Sequence, residues 1–150
     1  MKVEWDTEFR GFSVDAGAYL AALPGLKGVL PDGAWEFVSD AGHYSFSSDR
    51  CVKDLELAEV SLPVAKSAGP AAIGFLPNPW KHPAGLRIEY VGVTGFSVEY
   101  HDSIDWMEAI TVLLDEVRPV PGGGIVHEIE LTDATIVVRC ADLVAVWQKE

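Results

Sequence analysis

Apolar and polar residues alternate with period two along much of this chain, the repeat that sets one face of a β-strand against a core. Residues 3–14 hold Val3, Trp5, Phe9, Phe12 and Val14 in loose alternation, which predicts one or two short strands. A strand over 34–38, a turn at Asp40-Ala41-Gly42 and a strand over 43–47 read as a hairpin. Residues 51–62 alternate again, with Val52, Leu55, Leu57 and Val60 among Lys53, Asp54, Glu56 and Glu59. Two further strands are predicted over 86–93 and 96–100, joined at Thr94-Gly95. The clearest hairpin pairs 125–131 with 135–140 around Thr132-Asp133-Ala134, with Ile125, Ile129, Ile136 and Val138 facing a core. A last strand covers 143–147.

Helical spacing enters twice. Asp15 can cap a short helix over 16–23 that Pro24-Gly25 ends. The longer candidate runs from 103 to 117 and stops before Pro119 and Pro121. On a helical wheel Trp106, Met107, Ile110, Leu113, Leu114 and Val117 share one sector. Asp105, Glu108, Asp115 and Glu116 fall opposite, with Val112 exposed among them. Residues 69–83 carry Pro70, Pro77, Pro79 and Pro83 and read as one long loop, because proline cannot join a sheet interior. The expected fold class is α+β: a largely antiparallel sheet of about eight strands, one long amphipathic helix packed on a face and one short helix, in a single domain over 1–150.

Charge narrows the partners. The chain holds 23 acids and 11 bases, a formal net charge of −12. A nucleic-acid binder needs a basic footprint, so that class is set aside. No apolar run approaches the roughly 18 residues that span a bilayer, so no membrane partner is expected. The first residues include Glu4 and Asp6 where a signal peptide needs a basic stretch and an apolar run, and a cytoplasmic protein is expected. Cys51 and Cys140 stand alone in sequence and read as unbridged buried thiols.

The acids are concentrated. No Lys or Arg occurs between Arg87 and Arg118, a stretch with seven Asp and Glu. Asp105, Glu108, Asp115 and Glu116, centred on Val112, form a candidate docking face for a basic protein. Asp115 and Glu116 would lie in the last helical turn, where the dipole disfavours acids, so helix stability does not explain them. Trp80, between prolines, is the second candidate anchor, unless it folds back to pin its own loop.

Catalytic chemistry finds no constellation here. His101-Asp102 and His127-Glu128 are adjacent pairs, and on strands each pair points to opposite faces. His127 shares a face with Ile125, Ile129 and Leu131, the pattern of a core histidine. His43 and His82 have no partner nearby in sequence. Neither Gly11-Phe12-Ser13-Val14-Asp15 nor Gly95-Phe96-Ser97-Val98-Glu99 has the second glycine of a nucleophile elbow. Gly122-Gly123-Gly124 precedes a strand and serves as a hinge rather than a phosphate cradle. No catalytic residue, metal ligand or cofactor is assigned.

The strands Ile88-Glu89-Tyr90-Val91-Gly92-Val93 and Gly95-Phe96-Ser97-Val98, with the hairpin from Gly124 to Leu131 and Ile136 to Leu143, carry a resemblance. They resemble the strands of small cytoplasmic immunity-type proteins of bacterial polymorphic toxin systems. The resemblance implies a non-catalytic protein that neutralises a toxin by binding it, and it carries no functional residue across. The expected function is therefore a cytoplasmic protein-binding module, an immunity-type protein masking a basic partner such as a toxin. The alternative is a small enzyme or ligand-binding domain with a pocket between sheet and helix.

Overall fold

A computed structural model describes residues 2–6, 11–64, 69–101 and 111–148 of the chain. In chain order the elements are β1 (Lys2–Asp6), β2 (Gly11–Asp15), α1 (Gly17–Ala22), a 3-10 turn over Leu23–Leu26, and α2 (Asp32–Val38). There follow β3 (Glu56–Ser61), β4 (Ala71–Leu76), β5 (Gly85–Val91), β6 (Gly95–Tyr100), β7 (Val112–Pro119), β8 (Ile125–Leu131), β9 (Ala134–Cys140) and β10 (Asp142–Gln148). One sheet has the order β10-β5-β4-β3 and a second β6-β9-β8-β7, while β1 and β2 pair by themselves. All pairings are antiparallel.

The two larger sheets are joined through bent strands. β5 runs into β6 across Gly92, and β9 runs into β10 across Ala141. Hydrogen bonds from Ala141 N–H to the Val91 carbonyl and from Thr94 N–H to the Arg139 carbonyl, both 2.8 Å, carry the pairing around the corner. Gly92 makes the bend with φ +65°, a left-handed backbone that only glycine adopts freely. A Cβ there would also lie 3.0 Å from that of Ala141. A second seam closes where Asp54 N–H donates to the Val112 carbonyl and Val112 N–H to that of Leu55. Strands that continue from one sheet into the other at such bends form the corners between packed sheets. Leu86, Ile88 and Tyr90 of one sheet share a single core with Ile129, Ile136 and Val138 of the other.

This architecture corrects the α+β expectation. The described residues form ten strands in three sheets with only short helices, and no long amphipathic helix. Residues 112–117 are strand β7, with all six residues buried. A strand covered on both faces loses its alternation, so its apolar residues fit a helical wheel equally well. The first part of the predicted helix, with Asp105 and Glu108, lies outside the described residues.

Two further elements change type. Residues 32–38 are helix α2, whose Ala34, Phe37 and Val38 bury at helical spacing, and 43–47 form turns. Within the expected long loop, Ala71–Leu76 is β4, a short apolar run held centrally between β3 and β5. The short helix near 16–23 and the strands 125–131 and 135–140 appear where the pattern put them, with Ile125, Ile129, Ile136 and Val138 buried. Cys51 and Cys140 are free, buried thiols. No helix among the described residues is long and apolar enough to cross a membrane.

Candidate functional site

The helix α2 and the strand β10 flank a surface groove of about 250 Å³. Asp142 of β10 holds the helix in place. Its carboxylate accepts the N–H of Gly33 at 3.1 Å and of Ala34 at 2.9 Å, capping a helix 109 residues away in sequence. Gly33 permits the close approach, because a Cβ there would overlap the Leu143 carbonyl oxygen. Glu36 and the Asp40–Arg50 ion pair, 2.8 Å, line one side of the groove, and residues 144–147 of β10 line the other. Burial alone would raise the Asp40 carboxyl; the Gly42 N–H and Arg50 outweigh it and hold it below the usual carboxylate range. The Arg50 guanidinium lies 5.8 Å from the Trp147 ring centroid.

Beneath the groove lies a buried polar chain that sequence reasoning missed. Asp115 on β7 stands between His43 Nε2, at 2.6 Å, and His127 Nε2, at 2.8 Å. The other nitrogen of His43 faces the Phe37 carbonyl at 2.9 Å. Both nitrogens of His43 thus face acceptors, the arrangement that a doubly protonated ring satisfies. Tyr90 donates its hydroxyl to His127 Nδ1 at 2.7 Å, linking the two sheets. Asp115 and both histidines are at most 2% exposed. Desolvation would raise the Asp115 carboxyl, but the charge of His43 and the hydrogen bonds from both imidazoles hold it well below the usual range. Burial, with Asp115 nearby, pushes the Tyr90 hydroxyl well up.

The His43–Asp115–His127–Tyr90 network is closed on itself. Each ring nitrogen and each Asp115 oxygen is engaged, and none offers a lone pair or proton to the groove. No set of His, Cys, Asp and Glu among the described residues could hold a metal ion. The one signal in the sequence was His127 on the apolar face of its strand. Its partners lie 12, 37 and, through Asp115, 84 positions away, beyond any local pattern.

The predicted acidic docking face is corrected. Val112, Asp115 and Glu116 are all buried, so they offer no surface to a partner. Glu116 lies on the opposite face of β7 from Asp115, across from Glu128 of β8. Arg118 bridges these two carboxylates at 3.1 Å each. His127 and Glu128 do point to opposite faces, as alternation requires, and His101 bonds to Thr135 Oγ1 at 2.9 Å.

Of the predicted site residues among those described, Trp80 stands at the surface, 97% exposed. It does not fold back; His82 pins the loop instead. His82 Nε2 donates to the Cys51 carbonyl at 2.6 Å, and its Nδ1 accepts the Asn78 N–H at 3.2 Å. Lys81 reaches Asp54 and the Lys53 carbonyl, both at 3.2 Å. Desolvation lowers the His82 pKa, in keeping with a neutral ring. His82 also stacks on Trp147, so the loop adjoins the groove. The chain matches no family model, and no curated protein matches it.

Proposed function

We propose that this chain is a non-catalytic protein-binding module of the cytoplasm, an immunity-type protein that masks a basic partner such as a toxin. The observation that carries the reading is Trp80, a large apolar side chain 97% exposed on a loop fixed by four hydrogen bonds from His82, Asn78 and Lys81. An exposed tryptophan on a fixed backbone loses little main-chain entropy on docking, and tryptophan is a frequent anchor of interfaces. The net charge of −12 favours a basic partner and steers its approach.

The test takes the products of the genes that flank this one, selects any that are basic, and measures their association with this chain. A complex is expected whose affinity falls as salt rises toward about 0.5 M, where the field is short. Trp80→Ala is expected to weaken it by about tenfold or more, the cost of a central aromatic anchor. No complex, or a complex indifferent to Trp80→Ala, overturns the proposal. A second reading is favoured by the α2–β10 groove: a small-ligand site between helix and sheet. Its volume of about 250 Å³ falls below the roughly 300–1,000 Å³ usual for such sites. A thermal shift produced by a small molecule, with no protein complex, would decide for that reading.

A further inference from the structure

The edge strands of the two large sheets are treated differently. On β7, the free edge is closed by tyrosines: Tyr44 donates to the Asp115 carbonyl at 3.0 Å, and Tyr19 to that of Val117 at 2.7 Å. On β3, a register irregularity between Leu57 and Glu59 and the charges of Glu56 and Glu59 blunt the edge. β10 has neither device beyond its first residues. The Leu143 N–H meets the Asp142 carboxylate at 2.7 Å, and the Leu143 carbonyl packs on Gly33 of α2. Leu143 therefore turns its backbone toward α2 and away from β5. Because backbone groups alternate sides along a strand, Ala145 and Trp147 turn theirs the same way, along the groove. Among the described residues neither has a hydrogen-bond partner on that side.

From this the geometry points to a strand-addition site: an extended basic segment of a partner protein pairs with β10 at Ala145 and Trp147 and lies in the groove beside α2. Two pairs of backbone groups supply the ladder, and the groove receives alternate side chains. Its charge selects a basic residue, because Glu36 has no counter-ion among the described residues and Asp40 already shares Arg50. A second copy of this chain fits poorly, since it would bring −12 against −12 and a second Glu36 toward the first. The inference rests on the protein-binding reading and adds to it the conformation and charge of the bound segment.

The probe is a fluorescent hexapeptide of alternating Lys and Val, titrated into the full chain by anisotropy. Its controls are the same peptide N-methylated at alternate amides, in each of the two registers, and a Glu-Val version. Saturable binding of the Lys-Val peptide is expected, weakened about tenfold by N-methylation in one register and by Glu for Lys. Amide exchange of Ala145 and Trp147 should slow when the peptide is bound. Ala145→Pro, which removes an edge-facing N–H and leaves the β5 ladder intact, should weaken binding about tenfold. Glu36→Lys should reverse the preference toward the Glu-Val peptide. Equal binding of the N-methylated peptides, no binding, or a twofold mass in light scattering that Ala145→Pro abolishes would each overturn the inference. The two proposals fail separately. If Trp80→Ala weakens the protein complex and Ala145→Pro does not, strand addition falls and the binding module stands. If neither matters, both fall.

Discussion

Asp115 shows how a carboxylate is kept charged without water. Burial at 2% exposure opposes the charge, and two imidazole N–H groups together with the positive ring of His43 restore it. Removing one partner of a buried pair leaves the other charge uncompensated, at about 3–5 kcal/mol. Asp115→Asn should thus lower the unfolding free energy by about 3 kcal/mol in urea titration. His43→Phe should do the same from the other side, and a loss below about 1 kcal/mol in both would show that the pair is not ionised. The depressed Asp115 carboxyl also sets a pH dependence. A group whose folded pKa lies below its unfolded one contributes stability above the unfolded value, near 4, and loses it as pH falls through the folded one. Wild-type stability should therefore fall steeply below about pH 4, and that of Asp115→Asn less steeply. Parallel acid profiles would reject this account.

At the scale of elements, helix α2 is seven residues long, too short to persist by propensity alone. Its stability comes from Ala34, Phe37 and Val38 in the core and from the Asp142 cap. Asp142→Ala should cost about 1 kcal/mol, and Asp142→Asn less, because an amide oxygen still accepts. Melting curves of the two variants would check this, and equal losses would mean that charge rather than geometry does the capping. The β5–β6 bend tests a different physics. Gly92→Ala forces a side chain into a left-handed backbone against Ala141, and should cost about 1–2 kcal/mol. Gly122 also has positive φ, but a Cβ there meets open space, so Gly122→Ala tests the backbone contribution without the contact.

Across the whole molecule, the two sheets are tied by four kinds of link: the bent strands, the seam at Leu55 and Val112, the shared apolar core, and the Tyr90–His127 hydrogen bond. The polar link fixes the register in which the sheets face each other, since the Tyr90 hydroxyl meets His127 Nδ1 across the interface while the other ring nitrogen is held by Asp115. Tyr90→Phe removes only the hydroxyl and leaves His127 Nδ1 unsatisfied in an apolar interior, which should cost about 1–3 kcal/mol. Above this frame sit the surface features, Trp80 and the β10 edge, both on the side of the molecule that Trp147 joins. Substitutions at Trp80 and Glu36 should leave the melting temperature within about 2 °C of wild type, since exposed positions contribute little to stability.

Amino-acid order alone determined the strands whose two faces see different surroundings. β8 and β9 alternate because one face meets the core, so Ile125, Ile129, Ile136 and Val138 could be placed from period two. The inward aim of His127 and the outward aim of Glu128 follow from the same rule. Proline marked the loop over 77–83, and its tryptophan. Tertiary structure decided β7 and β4, where burial on both faces erases alternation. It decided α2, whose cap comes from the far end of the chain. It also turned Asp115 and Glu116 from expected surface acids into buried ones: a carboxylate's position follows from what waits for it inside, and here His43 from a loop and His127 from β8 meet Asp115, while Arg118 of the same strand pairs with Glu116. Local sequence records apolar periodicity well, because each residue reports its own burial. Charge pairing belongs to two residues at once, and only the fold brings the second one near.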